Sequence, residues 1–466
     1  MVVQHNMQAM NANRMLNITT TQQSKATEKL SSGYKINRAA DDAAGLSISE
    51  KMRKQIRGLD QASTNAQDGI SAVQTAEGAL TEVHSMLQRM NELATQAANG
   101  TNSSSDRSSI QDEINQLTTE IDRVAETTKF NETYLLKGNG KTSDVMINAK
   151  DAGIEGTLTG VGTGTATFKM AALKNGETIT IGSKGYTIGT TIDTVKTEVG
   201  KAKEGASVTI NGTEYKVAKD KKSEDRTENL LSADSLKELV NDGAKVIVGT
   251  QTYVAMTETK KDGIGDNDAS VISANKAYEL IKNELVKAGS IGADPGSEAK
   301  VTSKDLTKGA YSSKVTQISF TIQEGHREVT QGLQLGLHVG ADADENNKIS
   351  FTINTMDSAG LGVKGLNLVD NTGAKATYAI DSIADAISKV SAQRSSLGAV
   401  QNRLEHTINN LDNVVENTTS AESQIRDTDM AKTMVEYSKN NILAQAGQSM
   451  LAQANQSNQG VLSLLG

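Results

Sequence analysis

The sequence predicts a mainly α-helical protein: a long antiparallel helical bundle or coiled coil from the N- and C-terminal parts, with a β-hairpin and an inserted variable α+β domain. Apolar residues recur every seven positions over long stretches towards both ends. Aromatic residues make up only 3% of the chain, Trp is absent and there is a single Pro. This composition favours long helices packed through aliphatic and Ala side chains over a β-sandwich.

Composition and charge exclude several classes of protein. A chain of 466 residues is expected to form roughly two to four domains. Its net charge of −8 argues against a nucleic-acid partner, and the absence of Cys excludes disulfide and thiolate chemistry. No apolar run approaches about 18 residues, so no membrane span is predicted. The segment MVVQHNMQAM lacks the features of a cleavable secretory signal, so we expect a cytoplasmic protein or one that leaves the cell by another route.

The N-terminal part of the bundle, residues 44–140, is predicted to contain two long helices. Small residues occupy half of the first seam, which permits close approach of a packing partner, and about 45 residues give a rod of roughly 70 Å. This helix is expected to end at Asn99-Gly100, before a polar loop. The first seam consists of Met52, Leu59, Ala66, Val73, Leu80, Leu87 and Ala94, and the second helix carries Ile110, Ile114, Leu117, Ile121 and Val124.

The C-terminal part, residues 310–433, repeats this pattern after a β-hairpin. Two alternating runs flank a polar turn over Gly332–Met356, which is typical of a hairpin. Two early helices and one late helix can then form one antiparallel bundle that places the chain ends side by side. The late helix has a seven-residue register at Ile383, Val390, Leu397, Leu404, Leu411 and Ile425, with Thr418 at the gap.

The middle segment, residues 141–309, is predicted to be a variable outer domain of three ββα repeats. Gly, Thr and Lys increase here, and alternating β-branched residues lead into short turns after Gly176, Gly205 and Gly243. A helical stretch is expected after each hairpin. These stretches are Thr191–Gly200, Ser232–Val240 and Val271–Lys287. The insert is most simply interpreted as a surface-exposed spacer.

The two ends of the chain contain no charged side chain over Met1–Asn13 and Asn440–Gly466. A helix that stays solvated usually keeps charged residues, so these ends are predicted to become buried against other copies of the chain. That interpretation makes the protein an assembly subunit rather than an enzyme. The predicted assembly residues are the apolar ones of the C-terminal segment: Ile442, Leu443, Met450, Leu451, Val461, Leu462, Leu464 and Leu465.

Motifs for catalysis, cofactors or metals are absent or incomplete. The run from Asp342 resembles the start of a calcium loop but has Ile353 where a bidentate Glu is needed, so a hairpin turn is predicted. The five histidines are scattered and none forms a His-Glu-x-x-His motif. We therefore predict no catalytic residue, no cofactor and no metal.

Two polar patterns remain open to more than one interpretation. Asp41 and Asp42 mark either a helix start, where carboxylates act on the positive helix end, or a rigid connector that contacts neighbouring subunits. A second set can form a polar ridge across two bundle helices, or it is a solvated face. Its members are Gln88, Arg89, Met90, Asn91, Glu92 and Leu93, together with Glu113 on the next helix.

The segments LSSGYKINRAADDAAGLSISEKM, IQDEINQLTTEIDRV and NILAQAGQSMLAQANQSNQGVLSLLG closely resemble bacterial flagellin. The resemblance covers roughly residues 1–140 and 310–466. It implies a secreted, extracellular subunit that polymerises with copies of itself into the flagellar filament. Residues 1–43 and 434–466 would form the inner tube and its connector, and the middle segment would project outward. It also implies a flagellar export apparatus, an export chaperone and a filament cap as partners.

The resemblance further implies recognition by Toll-like receptor 5. The family's receptor-binding Arg, Leu and Glu correspond to Arg89, Leu93 and Glu113, within a ridge that also includes Gln88 and Glu92. Some strongly recognised flagellins have Arg where this chain has Leu117, so signalling strength stays open. Three other functions also stay open: a hook–filament junction protein, an enzyme in the insert, and an adhesin acting through the insert.

Overall fold

The computed structural model describes residues 6–303, 316–370 and 372–463, with side chains described up to Ser457. These residues divide into two compact units. The terminal unit consists of the residues up to Ser71, Gly336–Phe351 and the residues from Ala399 onward. The central unit consists of Ala72–Leu335 and Thr352–Gly398.

Long helices dominate the two ends of the chain, and strands are concentrated between them, so the predicted fold class is confirmed. The helices are α1 (Met7–Ser32), α2 (Ala43–Ala98), α3 (Ser104–Thr127), α4 (Ile192–Gly200), α5 (Ala233–Glu238), α6 (Ala274–Gly289), α7 (Ser358–Leu361), α8 (Ala374–Arg426) and α9 (Met430–Ser463). The strands are β1 (Lys129–Phe130), β2 (Thr133–Tyr134), β3 (Thr142–Met146), β4 (Thr157–Thr159), β5 (Thr165–Ala171), β6 (Thr178–Ile181), β7 (Lys184–Thr191), β8 (Ser207–Ile210), β9 (Thr213–Ala218), β10 (Leu230–Ser232), β11 (Lys245–Val248), β12 (Gln251–Met256), β13 (Val271–Ser273), β14 (Lys300–Thr302), β15 (Gln317–Gln323), β16 (His326–Thr330), β17 (Leu333–His338) and β18 (Lys348–Ile353).

The helix ends follow local sequence signals. The side chain of Asn6 accepts a hydrogen bond from the Ala9 N–H and starts α1. Gly33 ends α1 in the left-handed region, at φ +77°, and donates its N–H to Lys29 O. Ser103 and Asp106 form a capping box at the start of α3. The uninterrupted 56 residues of α2 contain no Pro, in keeping with the predicted long rod.

In the terminal unit, the hairpin formed by β17 and β18 packs against α2 and α8. Ala66, Leu404, Val339 and Ile349 form a common buried cluster. α2 and α8 run antiparallel, because Arg53 pairs with Glu422 and Ser63 bonds to Asp412. The predicted hairpin is therefore confirmed, and it lies on the helical seam.

In the central unit, most of the predicted seam residues lie in the bundle core, whereas Leu117 and Val124 are half-buried. Val73, Leu80 and Leu87 of α2 are fully buried, as are Ile114 of α3 and Val390 of α8. The predicted heptad register thus identifies the side chains that pack together.

The inserted segment contains the three predicted hairpins, each followed by a helix. They join in one eight-stranded sheet with the order β10-β9-β8-β11-β12-β7-β13, and β6 also pairs with β7. Helices α4, α5 and α6 begin after Thr191, Ser232 and Ser273, which lie 41 residues apart, and the side chains of the two serines cap their helices. One predicted helix start is wrong: Val271–Ser273 forms strand β13, because these residues pair in parallel with β7.

Strand pairing in this segment continues beyond residue 309, the boundary predicted for the outer domain. β15 returns to pair with β5, and β16 returns to pair with β3 as far as Thr330. Phe168 of β5 and Phe320 of β15 are buried together, with ring centroids 6.4 Å apart. The long sequence separation of these partners hides their pairing from local patterns.

Candidate functional site

The helix pair α1–α9 carries most of the exposed large apolar side chains. The two helices run antiparallel, since Asn6 Nδ2 donates to Ala454 O at 3.0 Å at one end and the Thr428 N–H donates to Gly33 O at 2.9 Å at the other. Of 17 exposed large apolar side chains in the described ranges, ten lie on these helices. Among the described side chains of the pair, the buried apolar ones are Ala26 and Ala444. A surface of this kind is typical of a site that another molecule covers.

Some of the predicted assembly residues are on this surface. Ile442, Leu443 and Met450 are 66%, 46% and 62% exposed, and Leu451 is half-buried. Val461 and Leu462 lie within the helical range of α9, where side chains are not described, and Leu464 and Leu465 lie outside the described residues.

Sequence reasoning missed other members of the same surface. Met430, Met434 and Val435 are at least half exposed on α9, as are Met7, Met10 and Met15 on α1. The signal available for Met7 and Met10 was the uncharged N-terminal run. Met434 and Val435 were hidden because the charged Lys432 and Glu436 flank them.

A cluster of charged and aromatic residues holds the connector between α1 and α2 next to the junction of α8 and α9. The centroid of the Tyr34 ring lies 5.7 Å from Arg53 Cζ and 4.9 Å from Arg426 Cζ, so the ring makes two cation–π contacts. Arg426 also pairs with Glu50, and Arg53 with the buried Glu422. This cluster, the Tyr34 clamp, ties the base of the α1–α9 pair to α2 and α8.

The two adjacent carboxylates have different partners. Asp42 Oδ1 accepts the Gly45 N–H at 2.9 Å and so caps the first turn of α2, as the helix-start interpretation predicts. Asp41 instead accepts the N–H groups of Arg38 and Asn37, and these bonds lower the pKa of its carboxyl group. Asp41 therefore shapes the connector, whereas Asp42 acts on the helix.

The polar ridge on α2 and α3 is present as an exposed ion-pair cluster. Arg89 Nε donates to Glu113 Oε1 at 2.9 Å, and Arg89 Nη1 donates to Glu92 Oε2 at 3.2 Å. Both hydrogen bonds raise the pKa of Arg89, and the one to Glu113 has the larger effect. Gln88 is exposed beside them, whereas the Leu93 side chain is in the core at 2% exposure.

Metal and membrane features are not found in the part of the chain that the structure describes. It contains no cluster of three or more His, Cys, Asp or Glu residues suited to a metal. None of its helices is long and apolar enough to cross a bilayer. The segment after Asp342 is the hairpin turn, in which Asn347 Nδ2 donates to Asp342 O at 2.9 Å.

Comparison with known proteins gives matches at both ends and over the full length. A model of the bacterial flagellin N-terminal helical region matches residues 3–141, and one of the C-terminal helical region matches residues 380–465. A flagellin of Clostridium tyrobutyricum is 41% identical, covering 98% of this chain and 100% of that protein. A flagellin of Bacillus subtilis (strain 168) is 36% identical, with 100% of each covered.

A solved structure, FliC from Burkholderia pseudomallei, aligns with a TM-score of 0.26 and 18% identity, over 72% of this chain and 99% of that one. Hook-associated protein-3 from Legionella pneumophila aligns with a TM-score of 0.35 and 13% identity, over 81% and 98%. Scores of this size do not discriminate a filament subunit from a junction protein.

A helical frame built from both chain ends, with an exposed apolar helix pair, is typical of a structural assembly protein. The full-length relatives then settle the family: the chain belongs to the bacterial flagellins, the subunits of the flagellar filament.

Proposed function

We propose that copies of this chain polymerise through the α1–α9 pair into the core of a flagellar filament. The exposed apolar surface of this pair is the observation that carries the proposal. Burial of apolar surface between subunits contributes a favourable free energy of roughly 25 cal/mol per Å² removed from water. The absence of charge over Asn440–Gly466 lowers the cost of enclosing the segment, because burying an unpaired charge is expensive.

Removal of residues 434–466 tests the proposal. This deletion leaves the bundle residues of α2, α3 and α8 intact but removes most of α9. We expect the truncated chain to keep its bundle, seen by circular dichroism, and to lose seeded polymerisation in a sedimentation assay. Filaments that persist after the deletion would refute assembly through this pair.

The rival function is a hook–filament junction protein with similar ends. A filament subunit elongates into long polymers when seeded, whereas a junction protein stops after one short layer. Polymer length after seeding therefore separates the two.

Assembly outside the cell requires export of the chain, which we propose to occur through the flagellar export apparatus, with an export chaperone and a filament cap as further partners. A chain without Cys and with one Pro can unfold and refold without disulfide exchange and with little slow isomerisation. Disabling the apparatus should leave the protein inside the cell. Its appearance in the medium of such a strain would contradict this route.

We also propose that the polar ridge is recognised by Toll-like receptor 5. Arg89 and Glu113 present paired charges on neighbouring helices, with Gln88 and Glu92 beside them. Leu93 has little surface to offer a partner, so its expected role is to hold α2 in place beneath the ridge. Paired, exposed Arg and Glu side chains are typical of an interface rim that fixes orientation.

Arg89→Ala should weaken receptor binding while changing thermal stability little, because the side chain is 51% exposed. Arg123→Ala is a matched control, since Arg123 is 62% exposed on α3 and paired with Glu120. Receptor affinity is measured for both variants, and we expect Arg123→Ala to bind like the parent chain. Equal affinity of Arg89→Ala and the parent chain would show that the ridge is a solvated face and not a receptor-binding site.

A further inference from the structure

The methionines of this chain are distributed unevenly between its surface and its core. In the described residues, seven methionine side chains are exposed, and six of them lie on α1 or α9. Their exposures range from 50% for Met430 to 73% for Met7. We call these six the terminal methionines: Met7, Met10, Met15, Met430, Met434 and Met450.

The remaining methionines provide an internal comparison. Met52 and Met86 are half-buried, and Met90, Met170, Met256 and Met356 are at most 5% exposed. Met146 is 51% exposed but lies on β3 of the central unit, in neither helix of the pair. The exposed methionines of the described residues are thus concentrated on the proposed assembly surface, with Met146 as the exception, and a protected set lies in the core.

The composition of the chain makes Met its most readily oxidised residue type. The chain has no Cys and no Trp, so thioethers are its most readily oxidised side chains. Oxidation converts a flexible apolar side chain into a polar one, which disrupts apolar interfaces.

We propose that the terminal methionines form an oxidation-sensitive site that prevents assembly when converted to methionine sulfoxide. This inference rests on the proposed polymerisation through the α1–α9 pair. The co-reactant is a peroxide: the thioether sulfur loses two electrons and gains one oxygen, the O–O bond breaks, and hydrogen peroxide is reduced to water. The product is reversible by methionine sulfoxide reductases, which restores the apolar surface.

Polymerisation through the α1–α9 pair would bury the surface that carries the terminal methionines. The free subunit is therefore expected to be oxidised much more readily than the filament. The free subunit exposes all six side chains, whereas the proposed polymer would enclose them. Oxidation then acts before assembly and selects undamaged subunits, and the finished filament is resistant.

The test uses full-length monomer, hydrogen peroxide as the probe, and catalase to stop the reaction. Peptide mass spectrometry should find sulfoxide at the terminal methionines and at Met146, but not at Met90. We expect the concentration needed for seeded elongation to rise by about tenfold or more, because unpaired polar groups are costly to bury. Treatment with methionine sulfoxide reductases should restore elongation of the same sample.

Two controls make the result specific. Met146→Leu should elongate like the parent and stay sensitive to peroxide. In a variant with Leu at all six terminal positions, peroxide-treated protein should elongate as fast as untreated protein of that same variant.

A further measurement examines the polymer itself. Peroxide applied to assembled filaments should oxidise Met146 much faster than the six terminal methionines. Oxidation of the six at the monomer rate would overturn the proposal, as would unchanged elongation of monomer in which all six are oxidised. Failure of untreated protein to elongate is a different result, because it contradicts the proposed function itself.

Discussion

Replacement of Gly69 by Ala tests how the hairpin packs on the helical seam. A Cβ at this position would lie 2.2 Å from Leu337 Cδ1 and 3.3 Å from Leu404 Cδ1. Carbon atoms in contact are normally about 3.5–4.0 Å apart, so Leu337 must move by more than about 1 Å. Overpacking of this kind costs about 1–3 kcal/mol, against a gain of up to about 1 kcal/mol from helix propensity.

Gly78→Ala on the same helix is the matched control. Its Cβ would meet nothing within 4 Å, so only the propensity gain applies, and the variant should be more stable by up to about 1 kcal/mol. The two substitutions share this gain, and their difference of about 1–3 kcal/mol isolates the cost of the overlap. Urea unfolding followed by far-ultraviolet circular dichroism measures both.

A second background identifies the colliding side chain. In a chain carrying Leu337→Ala the obstructing atom is gone, so Gly69→Ala should become neutral or stabilising there. The reasoning is refuted if Gly69→Ala and Gly78→Ala change stability equally in the parent chain, or if removal of the Leu337 side chain leaves the effect of Gly69→Ala unchanged.

Substitutions at three other positions test the end of α2, the insert and the Tyr34 clamp. Arg107 is 1% exposed and donates to three carbonyl groups, so Arg107→Ala should lower the free energy of unfolding by about 3–5 kcal/mol, with Arg107→Lys intermediate. Hydrogen bonds from Ser232 and Ser235 lower the pKa of Glu224 from 4.5 to about 2. Stability from this depressed pKa is complete above pH 4.5 and is lost as the pH falls towards 2, so Glu224→Gln should flatten the acid dependence of the insert's near-ultraviolet circular dichroism in that interval. Tyr34→Ala removes both cation–π contacts and should make α1 and α9 more sensitive to limited proteolysis, whereas Tyr34→Phe should not; equal cleavage of the two variants would contradict the clamp.

The helical frame could be predicted because its signals are local and periodic. Leu80, Leu87 and Val390 stand on seven-residue registers and are fully buried. The α1 boundary at Gly33 follows from the left-handed conformation that Gly favours. Small seam residues were expected to admit a partner helix, but at Gly69 the close partner is Leu337 of the hairpin.

The sheet of the insert could be predicted only in part. Each hairpin has its own turn signal, but the partners of β7 do not. β7 pairs in parallel with β13 through Ile188 and with β12 through Thr190, and these contacts join the first repeat to the third. Such pairings depend on tertiary packing, which a local alternation pattern does not contain.

Prediction of the polar ridge from the sequence was also only partly successful. Resemblance places Arg89, Glu113 and Leu93 together, whereas the helical register separates them. Leu93 lies three residues after Met90, on the buried face of α2, while Arg89 faces solvent. The burial pattern of α2 could have identified this difference in advance.

Electron microscopy of purified full-length protein after addition of filament seeds tests the central claim most directly. We expect long helical filaments with a central channel, in which α1 and α9 of neighbouring subunits pack against each other and enclose Ile442, Leu443 and Met450. Persistent monomers, short caps on hook ends, or filaments in which these side chains stay exposed to solvent would contradict assembly through the α1–α9 pair.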